Sequence, residues 1–311
     1  AIFDLYGQVP YINLETGENV VLTGQAAIDE MESLLTTAIP NLRTKPDSES
    51  GARFNQAAAR TVLARIFLNK GVYLDRYASS LDFSTSDIDR FISVTSQIID
   101  QDGYDLATDY FRLFDGDSDN NTATNELIFV VNCEAGQTCN RAFTAKVMRQ
   151  GQYAADAGSF RGWNGFCTLP EFVDSWDTSD PRFFEENYPN EPGTIDPATY
   201  ELNRGIQVGV QHGPVPVDAN GVPTEGGTFK RDGNGQLVIE VLKNFLRDDQ
   251  VVDYSREVSL TSNQWAGARV FKYEYDTPGP GRWDTDINPV LMRLADAYLM
   301  RAEAKLRNGD A

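Results

Sequence analysis

The segment Asp115-Gly-Asp-Ser-Asp-Asn-Asn-Thr-Ala-Thr-Asn-Glu126 sets oxygen-bearing side chains at the spacing of a calcium loop. Asp115, Asp117, Asp119, Asn121 and Glu126 take positions one, three, five, seven and twelve of such a Ca2+ loop. Position seven would offer its backbone carbonyl, and Glu126 both carboxylate oxygens. Asn120 stands where the sharp turn usually has glycine, and asparagine tolerates left-handed backbone better than most residues. No helix pattern clearly follows, so an acidic, solvated turn is the competing reading. His212 is the one histidine, in a Gly/Pro-rich stretch read as an ordinary loop; without a nucleophile elbow it supports no Ser-His or Cys-His mechanism. One histidine and three scattered cysteines do not make a zinc set, and no phosphate-binding glycine motif occurs. Carboxylates are plentiful, and glycoside hydrolysis needs only two at the right separation, but most of them read as solvated surface and turn residues.

The elements that must position these groups fall into two kinds. Up to about residue 131 the chain reads as helical. Ile28, Met31, Leu34, Leu35, Ala38 and Leu42 form one apolar stripe, and Phe54 to Leu68 is apolar on more than one face, as for a helix between neighbours. Ile88, Phe91, Ile92, Thr95, Ile98 and Ile99 form another stripe, with Ser86 as its expected cap. Residues 132–286 are punctuated by Gly, Pro, Asn and Asp, as in Asp218-Ala-Asn-Gly221 and Asp232-Gly-Asn-Gly235, which predict turns and short hairpins. Leu127–Val131 and Arg269–Tyr275 read as short strands. From residue 287 a helix returns, with Asn288 as cap, Pro289 in its first turn and Gly309 as its stop. Leu291, Leu294, Ala295, Tyr298, Leu299, Ala302 and Leu306 form its apolar stripe, which reads as one half of a helical pair. The expected fold is mainly α: helical pairs with a long loop-rich insertion that carries short strands and hairpins.

Composition narrows the partners. The 311 residues are 41% apolar, which suits a packed core, and no run of about 18 apolar residues offers a membrane span. A net charge of −19 argues against nucleic acid and anionic membrane surfaces, since phosphate binding needs clustered Lys and Arg. Cys133 and Cys139 bracket a short loop that a disulfide could close in an oxidising compartment, whereas Cys167 reads as a buried small hydrophobe.

Seven segments, in order, resemble the SusD/RagB family, outer-membrane glycan-binding lipoproteins of Bacteroidetes. They are Leu5-Tyr-Gly-Gln-Val-Pro10, Ala57-Ala-Ala-Arg-Thr-Val-Leu-Ala-Arg-Ile-Phe-Leu68, Asn125-Glu-Leu-Ile-Phe129, Gly162-Trp-Asn-Gly165, Asp177-Thr-Ser-Asp-Pro-Arg182, Phe271-Lys-Tyr273 and Arg293-Leu-Ala-Asp-Ala-Tyr-Leu-Met-Arg-Ala-Glu-Ala304. The resemblance implies tetratricopeptide-like helical pairs and one SusD-like domain, of which residues 1–311 are expected to be an internal portion. It further implies a cell-surface protein, held to the outer membrane by an N-terminal lipid anchor absent from this chain. Such a protein binds oligosaccharide without cleaving it and hands it to a SusC-like TonB-dependent transporter.

Glycans are recognised by flat apolar faces for C–H contacts, with a few directional polar groups around them. Trp163, flanked by glycines and by Arg161 and Asn164, and Trp283, between Arg282 and Asp284, are the candidate platforms, followed by Trp265. Trp176 reads as core. Two rival readings are a glycoside hydrolase or lyase on paired helices and a helical-repeat scaffold that binds only protein.

Overall fold

The computed structural model describes residues 2–13, 15–45, 52–115, 125–133, 166–224, 227–244, 249–258, 266–273 and 287–309. The chain divides into two compact units: Ala1–Thr108 with Asn121–Asn132 and Asn288–Ala311, and Asp109–Asn120 with Cys133–Ile287.

The first unit is built on helices. They are α1 (Ile2–Tyr6), α2 (Gly24–Ala38), α3 (Gln56–Leu68), α4 (Lys70–Leu74), α5 (Thr85–Asp100) and, at the end of the chain, α7 (Leu294–Arg307). An antiparallel hairpin, Gln8–Ile12 with Asn19–Thr23, precedes α2; the helical reading of this region missed it. Helix α3 packs against both α2 and α5, and α5 packs against α7. As its all-round apolar sequence requires, α3 buries Ala57, Ala58, Ala59, Leu63, Ala64, Ile66, Phe67 and Leu68. The Asn55 side chain caps α3 by accepting from Ala58 N at 2.9 Å and donates to Ile128 O at 2.9 Å, which ties the helix start to a strand. Ile88, Phe91, Thr95, Ile98 and Ile99 of α5 are buried, as their spacing predicts. Its cap is Ser84 rather than Ser86: the Ser84 hydroxyl accepts from Asp87 N at 3.2 Å.

The last helix starts later than the cap signal predicts. Val290–Arg293 is extended and pairs antiparallel with Leu127–Val130, so helix α7 begins at Leu294, with Arg293 rather than Asn288 at its N-cap. Ladder hydrogen bonds to a strand far away in sequence satisfy this backbone, and that outweighs a local Asn-Pro start signal. Gly309, at φ 82°, ends the helix as expected. The buried side also differs from the predicted stripe. Leu294, Ala297 and Ala304 are buried, while Leu291, Tyr298, Leu299, Ala302 and Leu306 are exposed. The small side chains of Ala297 and Ala304 let a neighbouring helix come close, which fixes the rotation of α7.

Among the described residues, the second unit is made of short antiparallel ladders with one five-residue helix, α6 (Pro170–Asp174). Arg204–Gln207 is the central strand between Arg269–Phe271 and Phe184–Glu185. Leu237–Val241 lies between Gly193–Ile195 and His212–Pro214. The Asp218 and Asp232 turns share one geometry: each carboxylate accepts two backbone N–H groups, from Asn220 and Val222 or from Asn234 and Gln236. Gly221 and Gly235 close them at φ 78° and 83°, a left-handed conformation open to glycine. Cys133 is disulfide-bonded, and Cys139 lies outside the described residues. Cys167 is free and exposed rather than buried. Among the described residues, no helix is long and apolar enough to cross a membrane.

Phe91 is fully buried and Leu299 is 62% exposed. Urea unfolding should therefore show Phe91→Ala losing about 3–5 kcal/mol and Leu299→Ala within about 0.5 kcal/mol of the parent. Equal losses would contradict the observed rotation of the helices.

Candidate functional site

The strand-rich unit carries a polar cavity of about 400 Å³, lined by Asp109, Phe111, Arg112, Asp115, Glu185, Asn187, Glu201, Leu202 and Arg204. One wall is the 3-10 turn Phe111–Phe114, begun by the Asp109 carboxylate, which accepts from Phe111 N at 3.0 Å. Phe111, Leu113 and Phe114 are buried, and Tyr110 lies edge-on to both phenylalanine rings, at 5.1 and 5.2 Å between centroids. Tyr273 stacks edgewise on Phe114 at 4.9 Å. This aromatic packing anchors the turn and leaves Arg112 and Asp115 on the cavity side.

The opposite wall is the ladder of Phe184–Glu185 with Arg204–Gln207, in which Glu185 and Arg204 are register partners and so share a face. The preceding loop is clamped by Asn203, whose side-chain oxygen accepts from Asn187 N at 2.7 Å and Tyr188 N at 3.0 Å, while its amide donates to Tyr188 O at 2.9 Å. Asn187 returns a bond to Leu202 O at 2.8 Å. These amides hold Glu185, Asn187, Glu201 and Leu202 around one space.

Charge in the cavity is unevenly paired. Arg204, with its side chain 5% exposed, donates to Asp115 Oδ1 at 2.6 Å and to Lys272 O at 2.7 Å, with its guanidinium 5.1 Å from the Phe111 ring centre. Arg112 donates to the other oxygen of Asp115 at 3.0 Å. Both cations thus converge on one carboxylate. Asp109, Glu185 and Glu201 form no ion pair among the described residues. Burial pushes the Glu185 carboxyl above its ordinary range, and the charges of Asp109 and Glu201 add to this; Arg204 and a hydrogen bond with Asn187 pull the other way.

The sequence-predicted site residues are scattered. Trp163, Trp283, Trp265, Arg161, Asn164, Asp117, Asp119 and Asn121 lie outside the described residues. Of the calcium set, Asp115 lies in the cavity. Glu126, 3% exposed, accepts from Arg293 Nη1 and from Ala107 N, each at 2.8 Å, in the helical unit. Each oxygen of these two carboxylates already has a protein donor, which a calcium ion would have to displace. Among the described residues, no group of three or more His, Cys, Asp or Glu could hold a metal ion. His212 stands on a strand rather than in a loop, and both its backbone N and Nδ1 meet Asn190 Oδ1, at 2.8 and 3.2 Å. Trp176 is half-buried, with its ring near Phe172 and Phe183. Sequence reasoning missed Asp109, Arg112, Glu185, Asn187, Glu201 and Arg204. The signal nearest to them was the aromatic run Tyr110, Phe111 and Phe114, which is indistinguishable from core without the fold.

The SusD family model matches residues 246–311. No curated protein matches the sequence. Among solved structures, a SusD-like protein from Bacteroides fragilis is similar at 18% identity and TM-score 0.56, over 98% of this chain and 55% of that one. A SusD superfamily protein from Parabacteroides distasonis is similar at 17% identity and TM-score 0.58, over 97% and 51%. Surface glycan-binding protein A from Bacteroides thetaiotaomicron, in complex with laminarihexaose, is similar at 16% identity and TM-score 0.57, over 98% and 54%. The chain therefore spans about half the length of the structures whose fold it shares. The family signature therefore lies at the end of the chain, and the fold along its length is that of SusD-like structures.

The raised Glu185 pKa has a testable sign. The folded protein holds that proton to higher pH than the unfolded chain does, so stability present at low pH is lost as pH rises through the raised value. Thermal melting across the acidic range should show Glu185→Gln removing that part of the decline. An unchanged pH profile would contradict the burial described.

Proposed function

We propose that this chain is a portion of a single, non-catalytic SusD-like domain that binds oligosaccharide at the cell surface. In this reading residues 1–131 form the helical part with tetratricopeptide-like pairs, residues 132–286 the loop-rich insertion, and residues 287–311 the returning helix. The full-length protein is anchored to the outer membrane by lipid and passes its glycan to a SusC-like TonB-dependent transporter. The observation that carries the reading is the polar cavity: carboxylates, an amide and guanidiniums surround one space beside Phe111, the mixture a hydroxyl-rich ligand requires. The laminarihexaose bound to a protein of the same fold supports the ligand class.

Trp163 and Trp283 are proposed as stacking platforms, with Arg161 and Asn164, the sequence neighbours of Trp163, as hydrogen-bonding groups and Trp265 as a third candidate platform. If they serve as platforms, Trp163→Ala and Trp283→Ala should each weaken glycan binding by about 1–3 kcal/mol, on the scale of base–aromatic stacking, with melting unchanged. Calorimetry and thermal melting on the same variants check this. Losses of about 3–5 kcal/mol in stability instead would make the rings core. A calcium ion held by Asp115, Asp117, Asp119, Asn121 and Glu126 should raise the melting temperature, an increment that Asp117→Ala abolishes.

One observation favours the rival glycoside hydrolase: Glu185 lies half-buried in the cavity with Asp109 and Glu201, where burial raises its carboxyl pKa against the pull of Arg204, as a general acid requires. A polysaccharide panel separates the readings. Retention without new reducing ends supports binding. Sustained release of reducing ends, abolished by Glu185→Gln, would make the protein a hydrolase, and no retention of any glycan would remove the binding role.

A further inference from the structure

Four carboxylates and two guanidiniums line the polar cavity, and both guanidiniums are spent on Asp115. Asp109, Glu185 and Glu201 line the same space with no ion pair among the described residues, so four carboxylates face two guanidiniums; Arg112 acts on Asp109 and Glu201, and Arg204 on Glu185, only at longer range. These three carboxylates are not gathered tightly enough to form a metal cluster; they are spread around a space of about 400 Å³. A ligand that enters meets three separate carboxyl groups, one of them that of the half-buried Glu185.

We propose that this cavity selects glycans by charge, taking amino-bearing sugar units in preference to neutral ones and excluding uronic-acid units, with Glu185 as the principal selecting residue. The inference rests on the glycan-binding reading above and names the ligand class of that same site. An ammonium group on a sugar ring can accept the place of the missing cation and donate charge-assisted hydrogen bonds to the carboxylates. A neutral sugar leaves the repulsion among them as it is. A uronate adds a fourth unpaired carboxylate, and such like-charge juxtaposition is a strong source of discrimination. Arg204 cannot relieve it, because it is buried on Asp115 and Lys272 O. Arg112 is the one guanidinium with exposed N–H groups in the cavity, and moving it would strip Asp115 of one of its two partners.

The net charge of −19 biases any site toward cations, so ligand ranking alone does not decide the matter. The experiment titrates the protein with three oligosaccharides of matched length: chitosan hexamer, its fully N-acetylated neutral form, and hexagalacturonate. Calorimetry is run on the parent, on Glu185→Gln and, in case that variant folds poorly, on the exposed Glu201→Gln. The expected affinity order is chitosan, then the neutral form, then galacturonate, with steps of about tenfold or more. Each variant should narrow the chitosan-to-galacturonate ratio by about tenfold or more while melting stays cooperative. Galacturonate binding as tightly as chitosan, or a ratio unmoved by either variant, would overturn the charge selection and leave glycan binding intact. If none of the three binds, charge selection fails; if a broad neutral panel is also silent, the glycan reading fails with it.

Discussion

The helical unit depends on one buried ion pair. Glu126, on the residue before the strand Leu127–Val130, takes Arg293 and the Ala107 N–H on its two carboxylate oxygens, while its backbone oxygen accepts from Leu294 N at 2.9 Å. Val131 N bonds Pro289 O beside it at 2.9 Å. The chain thus leaves the helical unit and re-enters it at neighbouring points, with the whole strand-rich excursion between them. A buried pair of this kind adds little net stability over an apolar substitute, but removing one partner strands a buried charge at a cost of about 3–5 kcal/mol. Its contribution is one of register. The clamp holds Val290–Arg293 extended, and that sets where the last helix begins and which side it buries.

The same physics organises the strand-rich unit around Arg204 and Asp115. A guanidinium this buried needs its charge met, and Asp115, Lys272 O and the face of Phe111 do so, while its Nε–H is left without a hydrogen-bond partner among the described residues. Meeting that need consumes the cavity's positive charge. The remaining carboxylates are left to a ligand, which is why a stabilising pair and a selective cavity are parts of one arrangement.

How far this was legible in the sequence depended on the range of the cause. Ala57–Leu68 and Ile88–Ile99 follow helical spacing because their burial repeats with the helix itself, and Gly309 marks a stop through its own backbone. The Asp218 and Asp232 turns were readable for the same local reason. The start of the last helix was not, because Asn288-Pro289 is a sound local signal overruled by strand pairing across the excursion. The cavity was hidden for a further reason. Asp115 and Arg204 are 89 positions apart, and Asp109, Glu185 and Glu201 look like any surface acids until a fold decides which of them lack a cation. The calcium spacing was the visible pattern, yet its two ends serve arginines in separate units.

The central claim is a division of labour: helices form the scaffold, and the strand-rich unit holds the ligand in the cavity built on Arg204. Hydrogen–deuterium exchange measured with and without a saturating neutral oligosaccharide tests it most directly. The account predicts slowed exchange at the amides of residues 109–115, 185–188 and 201–204, with the buried amides of Gln56–Leu68 and Thr85–Asp100 unchanged. Protection confined to those helices, with the cavity amides exchanging as before, would contradict it.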